Sequence, residues 1–363
     1  GSITLPSLSR TGYKFLGWYT AASGGTSVGS ANASYTPSKD ITLYAHWQAN
    51  TYTVSYDANG GSVSSESKSV TYDSDYGTLP TPNYTGHDFT GWYTSKSGGT
   101  KVTSTTKVST PSDHTLYARW DTQQYTVTFN PYGGTVSPTS KSVTYGQPYG
   151  DLPSPDKPGY TFLGWSMQTS GTDRISESTI VAETQDHTLY AHWSANSYQV
   201  TFNPNGGSVS PTSKSVTYDS TYGDLPTPSK TGHTFAGWYT SLSGGTKISS
   251  STVFKSTSNV TLYAHWTINK YTLTLEDNGG SVSPSSYTED YNTEITLPTP
   301  TKSYKVTFNG NTGTPSEDSR TLNCSFDGWY TNSTFSGTKY NAGSKYKISN
   351  NATLYIHHPS NLS

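Results

Sequence analysis

The 363 residues carry 22 Lys and Arg against 24 Asp and Glu, a formal net charge of −2, and 13% of them are charged, against roughly 25% in ordinary globular chains. That balance excludes the electrostatic footprint for nucleic acid or an anionic membrane surface, and no run reaches the ~18 apolar residues of a membrane-spanning helix. One cysteine, Cys324, excludes an internal disulfide, whereas 30 Tyr, 10 Phe and 9 Trp provide rings that must be buried somewhere.

The first predicted strand lies in TGYKFLGWYT, residues 11–20. It recurs as TGHDFTGWYT (85–94), PGYTFLGWSM (158–167), TGHTFAGWYT (231–240) and CSFDGWYT (324–331). Phe15, Phe89, Phe162, Phe235 and Phe326 hold one invariant place, followed two residues on by Gly17, Gly91, Gly164, Gly237 and Gly328. Strict alternation puts the next residue, Trp18, Trp92, Trp165, Trp238 or Trp329, on the face opposite the Phe. A closing strand, LYAHW or a variant, ends at Trp47, Trp120, Trp193 and Trp266, steps of 73 residues, and degenerates to LYIHH at 354–358. Four residues (QANT, DTQQ, SANS or TINK) then lead into an alternating strand such as Tyr52-Val54-Tyr56. A DANGG-type turn reverses the chain, and a KSVTY strand follows at 68–72, 141–145 and 214–218. Next comes YGxLPxP, whose prolines suit a crossover or a short helical turn and not a central strand. Each core is therefore expected to be a sheet of about four strands crossed by a short helix or loop.

The boundaries expected are 1–49, a partial first repeat without the opening hairpin; 50–121; 122–194; 195–267; and 268–363, with an insertion near 301–324 and a C-terminal tail. Taken together, Y-T-V-T-F-x-x-N-G-G, L-P-x-P-x-x-x-G-Y-x-F-x-G-W-Y and L-Y-A-x-W resemble the Listeria–Bacteroides repeat, also called the internalin B-repeat. The resemblance covers essentially the whole chain. It implies a β-rich α+β class, a tandem array of small β-grasp-like (ubiquitin-like) modules. It also implies a bacterial cell-surface location and a stalk or adhesion-related role, with no catalytic residue and no cofactor. On this reading the chain is a monomeric segment of a larger surface protein. Four and a half compact units end to end would span on the order of 120–150 Å.

Repetition weighs each candidate site. His46, His192 and His265 correspond to Arg119; His87 and His233 to Tyr13 and Tyr160; His114 and His187 to Ile41 and Val260. A metal ligand does not alternate with Ile or Arg, so no metal site is expected. Asp57, Asn130, Asn203 and Glu276 occupy one turn place, where an acid–base pair cannot accept Asn and an Asx turn is the plain reading. Glu317, Asp318 and Arg320 lack a recognisable catalytic partner. Two readings remain for the Gly-Trp indoles: a packing kernel, or exposed platforms contacting a glycan or a host-cell protein. Trp47, Trp120, Trp193 and Trp266 are read as core.

Overall fold

The computed structural model describes residues 1–307, 309, 314–317 and 319–359, so Asp318 lies outside the described residues. Every regular element among them is a strand, and no helix is long and apolar enough to cross a membrane. The α component is thus corrected, and of the short helix or loop expected for the crossover the loop is found. Gly, Pro, Thr and Ser interrupt the chain too often for a run of good helix formers, while Val, Thr, Tyr, Phe and Trp fill the strands.

The second repeat displays the plan. An opening strand, Thr51–Asp57, pairs antiparallel with Ser67–Thr71 and parallel with the closing strand, His114–Thr122. The closing strand pairs antiparallel with the kernel strand, His87–Tyr93, which carries a short edge strand, Lys101–Val102. The order is therefore hairpin partner, opening, closing, kernel, edge: five strands where four were expected. The fourth repeat keeps that order with Ser197–Asn203, Ser213–Thr217, His233–Tyr239, Lys247–Ile248 and Val260–Ile268. The third has four strands, an isolated Trp165–Ile175 bridge standing where the edge strand would be. The fifth repeats the five-stranded order and adds a two-stranded hairpin, Ser303–Thr307 with Ser319–Asn323. Residues 1–49 form only the kernel, edge and closing strands, Tyr13–Tyr19, Ser27–Gly29 and Tyr44–Ala49, plus a small pairing of Ile3–Thr4 with Ser34–Tyr35.

A parallel pair requires a crossover, and here an irregular segment supplies it. In the second repeat Tyr76 and Leu79 of that segment pack into the core beside Val54, Tyr56, Val70, Trp92, Leu116 and Ala118. Lys68 holds the segment down, its Nζ donating to the Thr78 carbonyl at 2.8 Å as well as to that of Tyr76. Lys141 and Lys214 repeat the bond onto Asp151 and Asp224, at 2.8 and 2.9 Å.

The kernel strand departs from the alternation read in its sequence. Phe89 pairs with Trp120, but Gly91 already pairs with Arg119, which leaves Thr90 as an extra residue; Leu16 and Ala236 are extra in the same way. This β-bulge inverts the facing of everything after it. Phe and Trp therefore share one face, with ring centroids 5.5–5.9 Å apart in all five repeats. The glycine makes the bulge possible: Gly91 has φ 142°, and a Cβ there would lie 2.5 Å from Lys101 Cε.

The chain groups into two compact units, residues 1–157 with 162–194, and 158–161 with 195–363. Within the first, one residue separates each closing strand from the next opening strand: Asn50, then Gln123. The Asn50 amide donates to the Gly12 carbonyl at 2.9 Å, and the Asn50 carbonyl accepts from the Tyr72 amide at 2.9 Å. Gln123 repeats this between Gly86 and Tyr145, at 2.9 and 3.0 Å. The tyrosine rings lie on those glycines, so closely that a Cβ on Gly86 would come within 2.1 Å of Tyr145 Cδ1. Tyr13 adds a hydrogen bond from its hydroxyl to Asp73 at 2.6 Å. Within the second unit, Gly159 and Gly232 meet Tyr218 and Tyr291 in the same way, through Asn196 and Asn269.

Candidate interaction surface

Each kernel indole has a fixed polar partner. Trp18, Trp92, Trp165, Trp238 and Trp329 donate Nε1–H to the carbonyls of Pro6, Pro80, Pro153, Pro226 and Pro298, at 2.8–3.0 Å. Each acceptor is the first proline of the LPxP string or its counterpart. Four of the five indoles are 0–2% exposed, and Trp18 is half-buried. At those four the platform reading is corrected on this ground, since the indole is closed off from solvent. The closing indoles are half-buried and bind the turn, Trp120, Trp193 and Trp266 donating to the carbonyls of Ala58, Pro131 and Pro204 at 2.9–3.0 Å. The invariant Phe stands between the two indoles, Phe162 at 5.5 Å from each. Phe15, Phe89, Phe235 and Phe326 are likewise half-buried, while Gly17, Gly91, Gly237 and Gly328 are buried and Gly164 half-buried beside them.

The polar positions also resolve into structural parts. His46, His192 and His265 lie within hydrogen-bond distance of the Ala21, Gln168 and Ser241 carbonyls at 2.8–2.9 Å, and Arg119 donates to that of Ser95 at 3.2 Å. His46 and His265 stack on Tyr19 and Tyr239 with centroids 3.9 Å apart, and the Arg119 guanidinium lies 4.0 Å over the Tyr93 ring. A planar nitrogen-bearing group serves the place whether it is imidazole or guanidinium, which explains the exchange. His114 and His187 pair with the Tyr76 and Tyr149 hydroxyls at 2.6 and 2.7 Å. The turns are Asx turns: the amides of Asn59, Tyr132 and Asn205 donate to Asp57, Asn130 and Asn203 at 2.8–2.9 Å. In the fifth repeat Asp277, one residue past Glu276, takes that part, accepting from the Gly279 amide at 3.2 Å. Among the described residues no three His, Cys, Asp or Glu side chains gather as a metal would require.

The fifth repeat carries a charged cluster around Asp327. Asp327 accepts from Lys339 at 2.7 Å and from the Tyr330 hydroxyl, with His357 Nδ1 at 3.3 Å. Those bonds, Lys339 first, hold its carboxyl well below the usual range. Arg320 pairs with Glu317 at 2.8 Å, on the surface.

Burial pushes the hydroxyls of Tyr56 and Tyr149 up to about 12, Glu183 adding to the effect at Tyr149. The Tyr56 hydroxyl is buried without a hydrogen-bond partner among the described residues, and sister repeats carry Phe129 and Phe202 in its place. Tyr56→Phe is expected to stabilise the second repeat by about 1–2 kcal/mol, since an unsatisfied buried hydroxyl is removed. The same change should reduce alkaline sensitivity. The folded-state value lies above the unfolded ~10, so stability is independent of this group below pH 10 and falls as pH rises from 10 towards 12, a loss that phenylalanine cannot show. Denaturant midpoints of the two proteins at pH 7 and 11 check both effects.

Two groups of residues escaped the sequence reading. Lys68, Lys141 and Lys214 were visible only as a repeated letter, and Tyr72, Tyr145 and Tyr218 as strand residues, while Tyr291 was not singled out. Their regular recurrence was the available signal, but the bonds join segments whose proximity the spacing alone does not disclose.

The model for the Listeria-Bacteroides repeat domain matches residues 1–46, 52–119, 125–192, 198–265 and 305–357. A protein of Evansella cellulosilytica named as a Gly-rich membrane protein is 35% identical over 81% of this chain and 33% of its own length. Another from the same organism, named as a membrane protein, is 34% identical over 88% of this chain and 46% of its own length. Internalin H of Listeria monocytogenes is 36% identical over 41% of this chain and 26% of its own length. The chain thus spans less than half the length of each of these relatives. Five matched segments, each centred on the same Phe–Trp kernel and together covering most of the sequence, place the chain in the Listeria–Bacteroides repeat family.

Proposed function

We propose that the chain is a non-enzymatic region of a bacterial cell-surface protein, a semi-rigid spacer that presents an adhesive or receptor-binding domain. The observation that carries this reading is the reuse of the kernel bond: the same indole-to-proline link closes all five repeats. Recurring aromatic residues are committed to the interior and to junctions, as a structural repeat requires. The relatives named as membrane proteins and as an internalin support a cell-envelope setting. Each module is read as a β-grasp variant whose crossover has no helix, on the strength of its hairpin, parallel and antiparallel strand order. The proposed boundaries are 1–49, 50–121, 122–194, 195–267 and 268–363.

Small-angle scattering tests the spacer. A maximum dimension on the order of 120–150 Å is expected, whereas a compact 363-residue globule has a radius of gyration of about 21 Å. A particle of globular dimensions would remove the reading. A second reading, contact with a glycan or host-cell protein, is favoured by one groove of about 470 Å³ in the fourth repeat. There the half-buried Trp266 lies beside Asn205, Lys230, His233 and His265. Titrating diverse oligosaccharides against intrinsic Trp fluorescence tests it; no response would leave the groove without that role.

A further inference from the structure

The first repeat keeps the kernel, edge and closing strands and has no opening hairpin. In the second, third and fourth repeats the closing strand runs nine residues, His114–Thr122, His187–Ala195 and Val260–Ile268. In the first it runs six, Tyr44–Ala49. The residues that drop out are Ile41, Thr42 and Leu43. They stand where His114, Thr115 and Leu116 pair parallel with Val54, Ser55 and Tyr56 of the opening strand. The backbone there is an unpaired edge, the template on which a further strand can form.

The core beneath that edge is open as well. Leu116, Leu189, Leu262 and Leu354 are 0–1% exposed, whereas Leu43 at the same place is only half-buried. Trp18 differs from its four sisters in the same way. A groove of about 420 Å³ is lined by Leu5, Trp18, Tyr35, Ile41 and Leu43, among others. What fills this place elsewhere is uniform: two side chains of the opening strand and one of its hairpin partner. They are Val54, Tyr56 and Val70, then Val127, Phe129 and Val143, then Val200, Phe202 and Val216, each at most 5% exposed.

A polar group for the same purpose is also present. In every complete repeat the residue before the closing strand accepts the amide of the third residue of the opening strand. Asp113 and Asp186 accept from Thr53 and Thr126 at 2.7 Å, and Asn259 and Asn351 from Gln199 and Thr272 at 2.9 Å. Asp40 holds that place before Ile41, with no opening-strand amide to accept.

We propose that this edge and groove dock a β-hairpin of the repeat's own opening type, supplied from outside these 363 residues. Its first strand adds in parallel, setting a Val beside Ile41 and an aromatic ring beside Leu43. Main-chain bonds give such an added strand its affinity, and its alternate side chains give the specificity. The four opening hairpins of the chain are each paired with their own closing strand, so a second copy could supply one only by breaking a complete repeat. The proposal is independent of the spacer reading, since a spacer can carry a docking edge or lack one.

A fluorescein-labelled peptide of residues 51–72, titrated with the full chain, is expected to bind saturably by fluorescence anisotropy, one peptide per chain. The same peptide carrying Val54→Ser and Tyr56→Ser should bind on the order of a hundredfold more weakly, because two buried apolar side chains are lost. In the chain, Asp40→Ala should weaken binding several-fold. Asp40→Asn should not, because asparagine already serves as Asn259 and Asn351. Absence of saturable binding, equal binding of the Ser-substituted peptide, or an affinity unchanged in Asp40→Ala overturns the proposal, and the first two outcomes require no variant of the chain. A chain that dimerises by itself and stays dimeric when the peptide is added would put a second copy on the edge, which overturns the assignment to an outside hairpin.

Discussion

Trp165→Ala is expected to unfold the third repeat. The side chain is 2% exposed, lies 5.1 Å from Phe129 and 5.5 Å from Phe162, and binds the Pro153 carbonyl at 2.8 Å. Truncating a buried ring of this size costs about 3–5 kcal/mol. Leaving the proline carbonyl without its donor adds roughly 1–3 kcal/mol. A module of this size has only about 4–11 kcal/mol of stability in total, at ~0.05–0.15 kcal/mol per residue. Calorimetry should show a loss of unfolding enthalpy of the order of one repeat, and limited proteolysis should cut within 122–194 first. Trp165→Phe, which keeps a ring but loses the N–H, should fall between the two. A calorimetric trace unchanged in Trp165→Ala would show that the kernel does not hold the module together.

Gly86→Ala should weaken two neighbouring repeats at once. Gly86 has φ 73°, and the added Cβ would meet the Tyr145 ring at 2.1 Å. The left-handed backbone alone costs about 1–2 kcal/mol for a residue with a Cβ. The ring must also move off its seat. Gly98→Ala separates the two terms, because Gly98 has φ 67° and nothing within 4 Å of the new methyl. The difference between the variants measures the clasp. Tyr145→Ala removes the ring, so the double variant should be less destabilised than the sum of the single ones, with a coupling of about 0.5–3 kcal/mol. Additivity within ~0.5 kcal/mol would mean that the tyrosine does not rest on the glycine in solution. The four-residue stretches read between the closing Trp and the next opening Tyr prove to leave a single residue between strands, bonded on both sides.

Much of the architecture was readable because the repeats act as replicate observations. Alternation at Tyr52-Val54-Tyr56, the Asn-Gly turns and the closing LYAHW all became strands and turns where period and turn chemistry put them. The kernel strand was misread for a physical reason: a bulge contributes no letter of its own, and Leu16, Thr90 and Ala236 look like ordinary strand residues. Only pairing with the closing strand reveals that one residue is surplus, so Phe and Trp were assigned to opposite faces. Of the two forms expected for the crossover, a short helix or a loop, the loop is the one found, because YGTLPTP offers two prolines and no helical stretch; burial of Tyr76 and a lysine tether hold it in place. The exchange of His46 for Arg119 pointed away from metal, but the loop carbonyl that both reach was invisible until the strands were paired.

In the fifth repeat the kernel bond has a separate consequence. Trp329 reaches the Pro298 carbonyl across 31 residues, where the other four kernels span 12, and the bond length is the same to within 0.2 Å. The stretch between proline and indole can therefore accept foreign sequence without opening the interior, which marks the corresponding loops of the second, third and fourth repeats as graft points for epitopes or tags. Nature has already run that experiment once in this molecule.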